Sequence, residues 1–353
     1  MSVQRFESGS AANGDLAKGC QYCIRGSKMV LLVTGRCSAG CFYCPISNEK
    51  KGRDVVYANE GRAYSDEDII REAESMDAEG TGITGGDPSA VLDRTIHYIE
   101  LLKAQFGKEH HIHMYTAVIS LENAKKLEAA GLDEIRYHPT EDLWAELGST
   151  ELASIVEQTS LDVGIEVPAL PGKTEELVTM IKSAFEAGVK FVNLNELEFS
   201  ESNWSMMDRF GLEIKDELSS AVKGSEETAM EVLERLPDLP IHFCSSTFKD
   251  SVQLRNRLAR RAEHIAKEYD VITDDGTLVK GIVYHKDLDE AYRFLAETYD
   301  VPDELMFIDR ERNRLEIAPW ILEEVGTELP YRCYIIEEYP TEDRLEVERT
   351  PIN

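Results

Sequence analysis

From residue 29 onward the chain alternates short apolar runs with longer segments of helical periodicity, a rhythm that calls for a parallel sheet with helices packed on it. The first predicted strand is 29–34, and a helix opens at the Ser65 cap in SDEDIIREAES. A short strand at 82–84 leads through Gly85-Gly86-Asp87-Pro88 into a helix that ends near Phe106. Strands at 111–116, 134–138, 162–168, 190–195 and 241–244 follow, with helices at 121–130, near 150–158, at 175–187 and up to Arg235. After 195 comes a longer irregular stretch, ELEFSESNWSMMDRFG. Six or seven such units predict an α/β fold, a partial barrel of (β/α)6 type rather than a flat sheet. In that architecture chemistry gathers at the C-terminal ends of the strands.

After about residue 270 the texture changes. The turn Asp274-Asp275-Gly276, a strand, a helix, a hairpin, a short helix near Trp320 and a final strand pair predict a small α+β domain. The expected organisation is an N-terminal extension over 1–27, a barrel over 28–268 and the small domain over 269–353. The best apolar run is six residues long, far short of the ~20 needed to cross a bilayer. The first residues lack the apolar segment of a secretion signal, so a cytoplasmic protein is expected. Lys and Arg number 38 against 67 Asp and Glu, a formal net charge of −29. The acidic residues are spread over every segment, which reads as a halophile-like surface. At ~1 M salt the Debye length is only about 3 Å, so this charge does not bar an RNA partner.

Cysteines occur at 20, 23, 37, 41, 44, 244 and 333, five of them inside the 25-residue window from 20 to 44. Such clustering favours metal or cluster ligation over disulfides. Cys333, alone in YRCYII, reads as a buried strand thiol. The loop after the first strand reads Cys37-Ser38-Ala39-Gly40-Cys41-Phe42-Tyr43-Cys44-Pro45. Three thiolates at C-x-x-x-C-x-x-C spacing can hold three irons of a four-iron cubane and leave the fourth iron open to an outside ligand. A zinc site would usually use four ligands from paired C-x-x-C knuckles, which this loop does not supply. Gly40 lets the chain curl around a sulfide, and Tyr43 shields the cluster edge and offers a face to an adenine.

This loop, the strand before it and Gly85-Gly86-Asp87-Pro88 after the second strand resemble the radical S-adenosylmethionine (SAM) superfamily over about residues 28–250. The resemblance implies a [4Fe–4S] cluster on Cys37, Cys41 and Cys44, with SAM bound to the open iron. It also implies a low-potential electron donor such as a ferredoxin or flavodoxin, and a 5′-deoxyadenosyl radical that abstracts a substrate hydrogen. The family's Gly-Gly-Glu-Pro is matched by Gly85, Gly86, Asp87 and Pro88, with a shorter carboxylate in the third place. These four residues are expected at the methionine end of SAM and Tyr43 at its adenine. Thr116, His138, Asn193 and Asn195, at strand ends, are further candidate contacts. The layout looks like the pyruvate formate-lyase activating enzyme branch, especially its archaeal relatives, whose partner carries a glycyl-radical loop. Modification of a tRNA base or a small metabolite, and a non-catalytic metal-binding protein, are the alternatives.

A second set of residues falls outside that pattern. Cys20-x-x-Cys23 lies just before the first strand, and alternation puts His242 and Cys244 on one face of a late strand. The expectation is an auxiliary iron–sulfur cluster or a zinc on Cys20, Cys23 and Cys244, with His242 as a further ligand. The alternative is a pair of surface thiols and a buried Cys244. His111 and His113 share one strand face with His110 opposite, which predicts exposed histidines at a strand entrance. Arg136 to Pro139 is expected at the barrel mouth, with Asn193, Asn195 and Glu196 near substrate or SAM. The four arginines at 255, 257, 260 and 261 form a modest basic face that balances acidic neighbours.

Overall fold

The computed structural model describes residues 3–6 and 8–353; residues 1, 2 and 7 of the expected extension lie outside the described residues. The chain divides into two units, one of residues 1–74 and 78–254 and one of residues 75–77 and 255–353.

The first unit opens with strands β1 (Gln4–Arg5) and β2 (Ala11–Asn13), helix α1 (Lys18–Ile24) and strand β3 (Lys28–Leu32). A hairpin of β4 (Val56–Ala58) and β5 (Gly61–Ala63) precedes α2 (Asp66–Ser75) and β6 (Gly80–Thr84). The alternation then runs through α3 (Leu92–Phe106), β7 (His111–Thr116), α4 (Leu121–Ala130) and β8 (Glu134–Tyr137). It continues with α5 (Leu152–Gln158), β9 (Asp162–Pro168), α6 (Thr174–Glu186) and β10 (Phe191–Asn195). Two helices, α7 (Trp204–Arg209) and α8 (Ser225–Arg235), then β11 (Ile241–Cys244) and the single turn α9 (Ser246–Phe248), complete it.

Among the described residues these strands form one eleven-stranded sheet in the order β1-β2-β11-β10-β9-β8-β7-β6-β3-β4-β5. From β3 to β11 neighbouring strands are parallel and follow chain order, the arrangement of a partial barrel. The hairpin β4–β5 pairs antiparallel with β3 at one edge, and β2 pairs antiparallel with β11 at the other. Helix α2 begins as the sequence predicts: Ser65 N–H donates to the Asp68 carboxylate at 3.0 Å, and Asp68 N–H reaches back to Ser65 Oγ at 3.4 Å.

Strand alternation sorts the side chains into two sets. Ile83, Ile112, Met114, Ile135, Val163, Ile165, Val192, Leu194 and Phe243 are buried on one face, and Lys28, His113, Glu134, Arg136, Asn193 and His242 are buried on the other. The polar face is covered by α1, whose Gly19 N–H donates to Glu134 Oε2 at 3.1 Å and whose Gly19 carbonyl accepts from Lys28 Nζ at 2.8 Å. A Cβ at residue 19 would lie 2.3 Å from His113 Nδ1 and 2.7 Å from an Arg136 nitrogen, so only glycine allows this approach. Two expectations are corrected here. The described part of the expected N-terminal extension is built into the barrel unit, because β2 pairs with β11 and α1 lies across the polar face of the sheet. His110, His111 and His113 are all buried, because β7 is an interior strand and α1 covers the face that carries His113.

The second unit contains α10 (Arg255–Ile265), β12 (Val271–Ile272), β13 (Leu278–Tyr284), α11 (Leu288–Tyr299) and β14 (Met306–Asp309). It ends with β15 (Arg314–Ile317), α12 (Pro319–Val325), β16 (Arg332–Glu338) and β17 (Glu346–Pro351). Its strands form an antiparallel sheet in the order β14-β15-β13-β16-β17, with β12 paired to β13. The Arg-rich helix, expected at the end of the barrel, begins this unit instead. Arg261 donates to the Pro340 carbonyl, and the residues just before α10 form a π-helical turn, Lys249–Leu254. Val283, Leu315, Ile317 and Cys333 form the core with Leu288, Leu295 and Leu322 from the two helices.

On the other face of this sheet Arg314 meets Glu316 at 2.7 Å and Glu338 at 2.9 Å, and Lys280 meets Glu338 at 2.8 Å. Burial alone would raise the Glu316 carboxyl, but Lys280, Arg344 and Arg314 pull it down to about 2 from 4.5. Because the folded value lies below the unfolded one, this carboxylate stabilises the fold above about pH 4.5 and loses its contribution as pH falls toward about 2. That contribution is roughly 3 kcal/mol. Chemical denaturation should show the second unit weakening across this window. Glu316→Gln should lower stability at neutral pH by about 3–5 kcal/mol, because it strands buried cations, and should flatten the acid dependence.

Candidate active site

The cysteine loop leaves the C-terminal end of β3 and is tied to the turn after β6. Gly86 N–H donates to the Thr34 carbonyl at 2.7 Å, and Asp87 N–H donates to the Arg36 carbonyl at 2.8 Å. The two segments are so close that a Cβ on Gly86 would sit 2.2 Å from the Arg36 oxygen. Cys37, Cys41 and Cys44 are free, Cys37 exposed and the other two half-buried. Burial raises the Cys41 thiol, and its neighbours Cys37 and Cys44 raise it further. Ala39 N–H already points at Cys37 Sγ, at 3.3 Å. Gly40 takes the left-handed conformation, with φ +66°, that turns the loop between Cys37 and Cys41. Three free thiols on such a loop are a donor set that fits a cubane with one open iron. Among the described residues no group of three or more His, Cys, Asp or Glu is arranged to hold a single metal ion.

The side chains predicted around this loop are brought together, but several are occupied by one another. Asp87 is buried. Its Oδ1 accepts from Ser89 N–H at 2.9 Å and from the Thr116 hydroxyl at 2.7 Å, and its Oδ2 from Ala117 N–H at 3.0 Å. Asp87 and Thr116 therefore bind each other and join the Gly-Gly turn to the end of β7, while Pro88 starts the short turn behind them. His138 donates from Nδ1 to the Glu166 carbonyl at 2.7 Å, which leaves Nε2 to accept the Tyr43 hydroxyl at 3.0 Å, with Cys41 Sγ 4.0 Å away. Burial holds the His138 imidazole below its usual range and so neutral. Tyr43 is itself buried, its ring edge-on to His138 and Phe42.

The sequence left two contributions to this region unmarked. The irregular segment after β10 clasps the cysteine loop. Asn203 donates to the Tyr43 carbonyl at 3.0 Å, Ser202 to the Cys44 carbonyl at 3.3 Å, and Phe210 stacks on Phe42 at 4.2 Å. The second contribution is Glu166, legible only as a carboxylate inside the apolar strand DVGIEVP. It accepts from Arg136 at 2.7 Å, Asn193 at 2.9 Å and Asn195 at 2.9 Å. Burial would raise Glu166, but Arg136 and the two amides keep it below the usual carboxylate range. Asn193 and Asn195 are thus positioned on Glu166, and Arg136 is enclosed among Glu134, Glu166 and Tyr115 rather than standing at the mouth. Glu196 is buried and accepts from Ser246 N–H at 2.7 Å.

Comparison with known proteins identifies the family. The model of the radical SAM superfamily matches residues 31–140, and that of a domain of unknown function (DUF8061) matches residues 276–352. A Methanocaldococcus jannaschii protein with the provisional name glycyl-radical enzyme activating enzyme is 39% identical over 372 aligned positions, spanning 100% of this chain and 97% of that one. Among solved structures, Streptococcus suis SuiB bound to SAM aligns at 12% identity, over 63% of this chain and 51% of its own, with a TM-score of 0.42. Methylornithine synthase aligns at 11% identity, over 64% and 72%, with a TM-score of 0.41. The chain belongs to the radical SAM superfamily as one of its enzymes, with a [4Fe–4S] cluster and SAM as cofactors.

Proposed function

We propose that this enzyme activates a glycyl-radical enzyme, its substrate being a backbone glycine in a loop of a partner protein. The observation that carries this reading is the match to the M. jannaschii protein along the whole chain, second unit included. The exposure of Cys37 supports it, because a cysteine loop at the surface is within reach of a polypeptide.

In this reading Cys37, Cys41 and Cys44 each bind one iron. Gly85 and Gly86 present backbone to the methionine end of SAM, held in place by the buried Asp87–Thr116 bond and by Pro88. Tyr43, fixed by His138, would shield the cluster edge and offer its ring to the adenine, and Asn193 and Asn195 keep Glu166 oriented. A bound, reduced cluster would supply the electron for cleaving the SAM sulfonium, with methionine leaving and a 5′-deoxyadenosyl radical available to take the substrate hydrogen. A low-potential ferredoxin or flavodoxin provides the electron. No helix among the described residues is long and apolar enough to cross a membrane, and we place the enzyme in the cytoplasm with such a donor.

Three outcomes are expected. Anaerobic incubation with SAM, dithionite and the glycyl-radical protein should give a glycyl doublet in electron paramagnetic resonance, together with 5′-deoxyadenosine. Deuterium transfer to 5′-deoxyadenosine from a labelled tRNA or small metabolite, with no doublet, would overturn the reading. Gly86→Ala should keep the cluster iron yet lower 5′-deoxyadenosine release about 100-fold, because the clash with Arg36 moves the strap by the order of 1 Å. The charge of −29 we read as adaptation to high salt. Thermal stability should therefore rise between about 0.1 M and about 1 M KCl, as the Debye length shrinks from about 10 Å to about 3 Å.

A further inference from the structure

A second cysteine set lies inside the barrel unit, where the chemistry above does not use it. Cys20 and Cys23 stand three residues apart on α1, and such positions are neighbours on one helix face. His242 and Cys244 alternate along β11 and so share its inner face. Asn193, on the adjacent β10, donates to Cys20 Sγ at 3.3 Å, and an Arg136 nitrogen lies 3.4 Å from the same sulfur. These contacts hold α1 against the strands that carry His242 and Cys244. In the β10–β11 pairing Asn193 stands beside His242 and Asn195 beside Cys244. Cys20 is 6% exposed and Cys244 7%, Cys23 is half-buried, and all three are free.

The imidazole of His242 points to a ligand. It is 4% exposed and lies against Cys20, and neither of its nitrogens has a hydrogen-bond partner of ordinary geometry. Buried polar atoms are nearly always satisfied, and each unsatisfied one costs about 1–3 kcal/mol. The neighbouring Asn193 Oδ1 is also buried without a partner. Three thiols and an orphaned imidazole on one inner surface form a soft donor set of the kind that binds iron, copper or zinc.

Such a set suits an iron–sulfur cluster, in which each protein ligand binds a different iron, as well as one tetrahedral zinc. The Arg136 guanidinium and the Asn193 amide at Cys20 would then act as outer hydrogen-bond donors to a ligating sulfur. We propose that Cys20, Cys23 and Cys244, with His242 completing the set, bind a second iron–sulfur cluster inside the barrel. Glu166 stands between the two sites, its carbonyl accepting from His138 beside the first and its carboxylate from Asn193 beside the second.

Anaerobic reconstitution with iron and sulfide, followed by metal and sulfide counting, tests this. The unaltered chain should saturate at ~8 irons and Cys37→Ala/Cys41→Ala/Cys44→Ala at ~4, for two cubanes. Cys20→Ser/Cys23→Ser/Cys244→Ser should lose ~4 irons while SAM still perturbs the resonance of the remaining cluster. His242→Ala should shift the spectrum of the second cluster without moving that of the first. Saturation of the unaltered chain at ~4 irons, or recovery of zinc alone from the first variant, would overturn the proposal whether or not the second variant folds. The glycyl doublet is a separate readout, so failure of either reading is distinguishable from failure of the other.

Discussion

The interior of the barrel unit is organised by one buried cation. Arg136 meets Glu134 and Glu166, donates toward the Tyr115 hydroxyl and lies over the Tyr115 and Phe191 rings. Taking ions out of water is expensive, and attraction in the interior offsets the cost only when geometry and hydrogen bonding are complete. Here they nearly are. Glu134 also takes the Gly19 N–H, Glu166 also takes two amides, and Lys28 is satisfied by the Gly19 carbonyl and His113. Two cations against two carboxylates make an interior that tolerates α1 lying on it. The same bonds set the angle of Glu166, whose main chain fixes the tautomer of His138.

Cofactor placement depends on a smaller device. The turn after β6 and the loop after β3 are held by two main-chain hydrogen bonds, with no side chain between them at Gly86. The third residue of the turn carries a carboxylate whose work is internal: Asp87 collects Ser89, Thr116 and Ala117 and so locks the strap to β7. A buried carboxylate with three donors is a rigid joint. Backbone is thereby left to face the ligand.

Elements with a local signal were legible in the sequence. The helix capped by Ser65, the strand 111–116 and the run 162–168 each announce themselves within a few residues, and the three-cysteine loop does so by spacing alone. Helix α1 was hidden because seven residues carry little periodicity and Gly19 weakens helix propensity. The hairpin β4–β5 and the strand β2 were hidden because three-residue strands are defined by their partners. The histidines of β7 were misread for the same reason. Alternation placed them on faces, but only the position of α1 decides whether a face meets water.

From its order of residues alone the chain settled that it would alternate strand and helix into a partial barrel, and that three cysteines would share the loop after the first strand. Both follow from near-neighbour spacing, which survives without knowledge of the rest of the molecule. Tertiary structure decided that Glu166 gathers Arg136, Asn193 and Asn195, that Asp87 and Thr116 bind each other, and that Cys20 comes to lie beside the strand of Cys244. Those pairings join residues between 27 and 224 positions apart. No local pattern encodes such contacts, because they exist only once the sheet has curled and α1 has come to lie on its inner face.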